Sequence, residues 1–147
     1  MEIKKKFTLE DIPGGYAMCM RNDCKVCEHC LRHIAYNDVG KDQARLMIVN
    51  PLLVDPSEQC EHFRTDELAT YARGFVKMKL KMLPGQYDEF MVRLIGRFGR
   101  TGYYERRRGE RLCKPAEIEF IRKVLQDLHL PNLEFDAYEK HLNWYGD

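Results

Sequence analysis

Residues 65–98 read TDELATYARGFVKMKLKMLPGQYDEFMVRLIGRF, and the spacing of their apolar side chains decides how most of the chain is expected to fold. Thr65 suits a helix N-cap, because its hydroxyl can accept from an N–H of the first turn, and Asp66 and Glu67 behind it favour the positive end of the helix dipole. Leu68, Tyr71, Ala72, Phe75, Val76, Leu80 and Leu83 follow at helical spacing until Pro84-Gly85 interrupts. Beyond that turn Tyr87, Phe90, Met91, Leu94, Ile95 and Phe98 repeat the i, i+3, i+4 pattern without a miss. Two amphipathic helices paired as an antiparallel hairpin are the expectation.

Downstream, Pro115 fits the first turn of a third helix with Ile118, Ile121, Val124, Leu125 and Leu128 on its inward face, ending before Pro131. The tail from Asn132 is acidic and carries Phe135, Tyr138, Trp144 and Tyr145, aromatics expected to pack on the body of the protein. Upstream the chain is irregular. Pro13-Gly14-Gly15 signals a turn, Arg45 to Val49 reads as a short strand ended by Asn50-Pro51, and Val26 to Tyr36 has helical spacing. The fold class expected is mainly α with a small β or irregular part. In outline, a cysteine metal knuckle and short strand pack on a helical hairpin plus a third helix. A single domain is expected over 1–147, with a cysteine-rich metal-binding part (1–64), a helical part (65–130) and an acidic aromatic tail (131–147).

The chain has 147 residues, 44% of them hydrophobic, enough for one sizeable core. Its 24 Lys and Arg nearly cancel 23 Asp and Glu, so no global field draws nucleic acid or a membrane, and any electrostatic function has to come from local clustering. The basic start, Met1 to Lys6, runs into Phe7-Thr8-Leu9-Glu10-Asp11 rather than the apolar stretch of a signal peptide or membrane helix. A cytoplasmic protein with no membrane partner, and reduced thiols rather than disulfides, is the expectation.

Four of the six cysteines fall in Cys19-x4-Cys24-x2-Cys27-x2-Cys30, with Cys60 beyond the expected strand and Cys113 far away. Two-residue gaps let successive thiolates converge on one ion while turn amides donate to the sulfurs. Tetrahedral zinc needs four donors. Cys60, followed by His62, is the natural source of the distal one, with His29 and His33 further candidates. Cys24, Cys27 and Cys30 also match the first three ligands of a bacterial ferredoxin run, but His33-Ile34 stands where its Cys-Pro would be, so an iron–sulfur cluster is the alternative to zinc. No serine elbow, phosphate-cradling glycine loop or H-E-x-x-H is present, and the chain reads as non-enzymatic.

From Arg97 to Arg111 the chain reads RFGRTGYYERRRGER, a local basic patch. Arginine forks bind phosphates bidentately and tyrosines stack, so Arg100, Tyr103, Tyr104, Arg106, Arg107, Arg108 and Arg111 are candidate nucleic-acid contacts. The competing reading is a solvated face paired with Glu134, Asp136 and Glu139 of the tail. Gly109-x-Arg111-Leu112-x2-Pro115-x2-Ile118-x2-Ile121 resembles the end of a repressor-type helix-turn-helix, with Tyr103 to Arg108 as the recognition helix, although Arg106 takes a position that is normally apolar.

The whole chain also resembles a family of short cysteine-containing proteins of unknown function from anaerobic gut bacteria. The resemblance runs through Gly15-Tyr16-Ala17-x-Cys19, Cys24, Cys30-Leu31-Arg32-His33, Val49-Asn50-Pro51, Cys60-x2-Phe63-Arg64 and Phe98-Gly99-Arg100 to Gly102-Tyr103-Tyr104. It implies Cys19, Cys24, Cys30 and Cys60 as the shared ligand set and Cys27 as an addition here. The functional expectation is a zinc-stabilised module that contacts nucleic acid through its arginines, or else an iron–sulfur redox protein or one that binds another protein.

Overall fold

In the computed structural model, which describes residues 6–56 and 59–146, Gly74 takes φ +76°, a left-handed conformation that no helix can pass through. The first of the two expected helices is therefore absent. A Cβ at Gly74 would lie 2.7 Å from a carboxylate oxygen of Asp136, so the position needs glycine on both counts. Before it, Leu68–Arg73 is a strand (β1), and after it Val76–Lys81 is a 3₁₀ turn. Thr65 is no helix cap: its hydroxyl accepts from the Glu67 N–H in a local turn, and its backbone bridges to Cys30. Tertiary pairing overrides the helical spacing, because β1 finds partners on both sides. Ala72 exchanges both backbone hydrogen bonds with Cys113, and Ala137–Leu142 forms the second strand (β2) of a two-stranded sheet with β1. Tyr71 meets His141 and Arg73 meets Glu139, so one strand's numbers rise as the other's fall, an antiparallel register.

The chain divides into two compact units, Met1–Glu67 with Leu142–Gly146, and Leu68–His141. Of the basic start, only Lys6 belongs to the described residues. The first unit holds one α-helix, α1 (Leu31–Val39), preceded by a 3₁₀ turn at Cys27–His29, a later start than the sequence spacing suggests. The expected strand at Arg45–Val49 reduces to a single parallel bridge between Met18 and Ile48. The core here is small: Ile12, Tyr16, Met18, Ala35 and Val39, with Phe7 and Trp144 against it. Tyr16 donates its hydroxyl to the Trp144 carbonyl at 2.7 Å and meets the indole edge-on at 5.1 Å, so Trp144 packs as expected, whereas Tyr138 and Tyr145 of the tail stay exposed.

In the second unit α2 spans Pro84–Arg107 and α3 spans Pro115–Asp127, matching the second and third expected helices. Both begin with proline, and in both a side chain three residues after the cap closes the first turn: Gln86 accepts from the Leu83 N–H and Glu117 from the Lys114 N–H. α2 breaks at Gly99 (φ 74°, ψ 165°), which separates a long helix from a short one over residues 100–107. Phe75, Phe90, Leu94, Tyr103, Ile121, Val124, Leu125 and Phe135 make the core. The fold is mainly α with a small β part. Among the described residues no helix is long and apolar enough to cross a membrane.

Candidate metal centre

Five cysteines (Cys19, Cys24, Cys27, Cys30 and Cys60) and two histidines (His33 and His62) line one pocket of the first unit, with a free volume of about 20 Å³. They arrive from three separate segments. Residues 24–30 form two successive turns in which the Cys27 N–H donates to Cys24 O at 3.4 Å and the Cys30 N–H to Cys27 O at 3.2 Å, so the two-residue gaps curl as knuckles do. Cys30 then caps α1. The Cys19 N–H donates to Arg32 O at 3.0 Å, fixing the first segment against the start of α1, and the Cys60 loop is closed by the Phe63 N–H on Cys60 O at 3.1 Å.

Arg32 ties the three together. Its guanidinium donates to Ala17 O at 2.7 Å and to His62 O at 2.8 Å and lies over the Tyr16 ring at 4.8 Å. Spacing alone passes over this residue; a basic side chain directly after Cys30-Leu31 is the signal the sequence carries. Arg21 does similar work below the pocket, donating to the carbonyls of Pro51 and Val54 at 3.1 and 3.2 Å.

The histidines separate by role. His33 is buried, and its Nδ1 lies 3.2 Å from Cys19 O. Donation to that carbonyl places the proton on Nδ1 and leaves Nε2 with its lone pair, the tautomer a metal-ligating histidine adopts. His62 lines the pocket, yet its Nε2 lies 3.4 Å from the exposed Glu61 carboxylate. His29 is exposed beside Asp66 and is not part of the pocket.

The Cys19 thiol is held above its ordinary pKa, first by burial and then by charge on Cys30, Cys60 and Cys24, while a backbone hydrogen bond at Arg21 works the other way. Cys27 differs, turning its sulfur toward Asn22 O at 3.9 Å. All six cysteines are free thiols, and Cys113 stands apart in the second unit, where burial pushes its thiol up to about 12. Among the described residues no three His, Cys, Asp or Glu side chains stand together as a ready-made ligand set.

The arginine segment lies differently from its expectation. Tyr103 is fully buried in the core of the second unit, and Arg106 is buried too, donating to Glu117 at 2.8 Å and to Gly102 O at 3.1 Å while lying over Phe98 at 4.2 Å. Both are thus placed in the interior of the second unit rather than on its surface. Arg108 pairs with Glu110 at 2.9 Å and Arg111 with Glu105 at 3.0 Å, both near the surface. Arg100 is exposed, and Tyr104 and Arg107 are half-buried. The tail acids do not serve these arginines: Glu134 holds Arg122, Glu139 holds Arg73, and Asp136 accepts from the N–H groups of Val76 and Lys77. The helix-turn-helix reading places its recognition helix at Tyr103 to Arg108, and α2 does continue there past its Gly99 break, but with Tyr103 and Arg106 turned inward.

No curated protein and no solved structure is significantly similar to this chain. A family profile, by contrast, matches residues 1–144, nearly the whole length. The chain belongs to DUF6078, a family of unknown function.

Proposed function

We propose that the first unit is a structural zinc module, with Cys19, Cys24, Cys30 and Cys60 as the ligands and Arg32 as the clamp that aligns the segments carrying them. One observation carries this reading: thiols distant in sequence line one pocket. His33-Ile34 stands where a ferredoxin run continues with Cys-Pro, which favours zinc over the iron alternative. The donor chemistry fits as well, because thiolates are soft ligands and His33 stands in the ligand tautomer as a substitute donor. The side chains form no closed cage, so drawing them together belongs to the binding event and couples it to folding. A small core around Tyr16 and Trp144 gives the ion a physical task, holding together a unit with few apolar residues.

Zinc would supply no chemistry beyond cross-linking here, and the module reads as non-enzymatic. Contact with nucleic acid through the arginines is the weaker reading, since two of the seven expected residues are buried and two are paired; Arg100 and Arg107 make no ion pair among the described residues. Metal analysis of protein purified without oxygen tests the proposal: stoichiometric zinc supports it, and a brown, iron-containing protein overturns it in favour of the cluster.

A further inference from the structure

The 3₁₀ turn Val76–Lys81 carries the sequence VKMKLK, and three residues per turn stack Val76 with Lys79, Lys77 with Leu80 and Met78 with Lys81. Met78 alone is buried. Val76 is 45% exposed, Leu80 84% and Leu83, just beyond the turn, 69%. Aliphatic side chains this exposed need an explanation when the unit has a core they could have joined.

The turn is anchored at two points. Asp136 accepts from the N–H groups of Val76 and Lys77 at 3.0 and 3.2 Å, which fixes its first residues, and Met78 anchors its underside. Lys77, Lys79 and Lys81 alternate with the aliphatics and are exposed, and none of the three makes an ion pair among the described residues; Lys79 lies over the Tyr87 ring at 4.8 Å. Beside the turn runs a groove of about 270 Å³ with Lys77, Leu80 and Lys81 on one wall and Asn132 to Phe135 on the other. Its one acid, Glu134, is engaged by Arg122 and Tyr138.

We infer that Val76–Leu83 is a peripheral docking site for an anionic lipid surface, with Leu80 and Leu83 entering the interface and Lys77, Lys79 and Lys81 meeting the headgroups. The chemistry selects lipid over a protein partner. The patch projects from a turn instead of forming an apolar pocket, and it contains no aromatic side chain and no arginine, the residues that anchor protein interfaces. Lysine is a point charge on a flexible stem, matched to mobile headgroups rather than to a fixed carboxylate. Each lysine near an anionic surface strengthens association about fivefold, and the inserted aliphatics add to this, so binding is reversible and salt-dependent.

Sedimentation of the full chain with vesicles tests this, using phosphatidylcholine alone and phosphatidylcholine mixed with phosphatidylglycerol. The expected result is association with the mixed vesicles only, weakened by salt, falling roughly 25-fold in K77Q/K81Q and clearly in L80S/L83S. These positions are exposed, so both variants should keep the wild-type circular dichroism, which is recorded as the control. Equal binding to both vesicles, no binding at low salt, or unchanged binding by K77Q/K81Q overturns the inference. So does a wild-type dimer in solution that L80S/L83S converts to monomer, because a second copy would then be the occupant.

Discussion

Arg106 and Glu117 form an ion pair at 2.8 Å with side chains only 9% and 12% exposed. A charge so placed is costly when left alone, because water no longer solvates it. Arg106→Ala is expected to destabilise the second unit by about 3 kcal/mol, measured by urea unfolding followed at the helical circular-dichroism band. Arg108→Gln and Arg111→Gln, whose own side chains are exposed, should each change stability far less. Equal effects at the three positions would contradict the burial argument.

The same placement limits nucleic-acid binding. If the segment binds phosphates, the R100Q/R107Q variant should weaken a gel-shift complex, and the complex should fade steeply with salt. No complex at low salt, where non-specific electrostatic attraction is strongest, removes the arginine segment from functional consideration.

Much of α2 and α3 is legible in the sequence, because Phe90, Leu94, Ile121, Val124 and Leu125 each sit where a period of 3.6 puts them. Residues 68–83 are not, since Tyr71, Ala72 and Phe75 satisfy helical spacing and also suit a strand followed by a turn; only the distant pairing with Cys113 and residues 137–142 decides. Gly74 was the local sign. Arg106 likewise carried one, standing at a position that the helix-turn-helix resemblance makes apolar, where burial beside Glu117 is the physical outcome. At the cysteines, spacing points to Cys24, Cys27 and Cys30, but the approach of Cys60 depends on Arg32 joining His62 O to Ala17 O, a long-range contact no spacing encodes.

Acid should weaken the second unit through Glu139. Its hydrogen bond from Arg73, then that from His141, lower its pKa from 4.5 to about 2. A carboxyl depressed on folding contributes stability at pH above its ordinary value and loses it as pH falls toward the folded value, here between 4.5 and about 2. The thermal midpoint of the second unit, read from helical circular dichroism, should fall through that window in wild type and fall less in Glu139→Gln. Parallel curves would contradict the assignment.

Gly99 breaks α2 at φ 74° with open space around its α-carbon. Gly99→Ala should cost about 1 to 3 kcal/mol through backbone strain alone, because ψ 165° with this φ is a region essentially only glycine adopts. A neutral or stabilising result by urea unfolding would mean that a continuous helix is accessible.

Among the thiols the account separates ligands from a bystander. Cys19→Ser, Cys24→Ser and Cys60→Ser should each lower zinc affinity by more than the 10- to 100-fold typical of an outer-shell loss, Arg32→Ala should fall roughly within that range, and Cys27→Ser should retain zinc. Competition with a chromophoric chelator ranks them; loss of zinc in Cys27→Ser equal to that in Cys19→Ser would overturn the assigned set.

Trp144 is the only tryptophan and packs on Phe7 and Tyr16 in the core of the first unit, at ring distances of 5.2 and 5.1 Å, so its emission reports on that unit. The most direct measurement is therefore metal content by elemental analysis together with Trp144 emission during titration with a strong chelator. The expected result is one zinc per chain and a red shift of the emission as the metal leaves, reversed by added zinc. Protein with neither zinc nor iron, whose Trp144 emission ignores the chelator, would contradict the claim that a metal holds the first unit together.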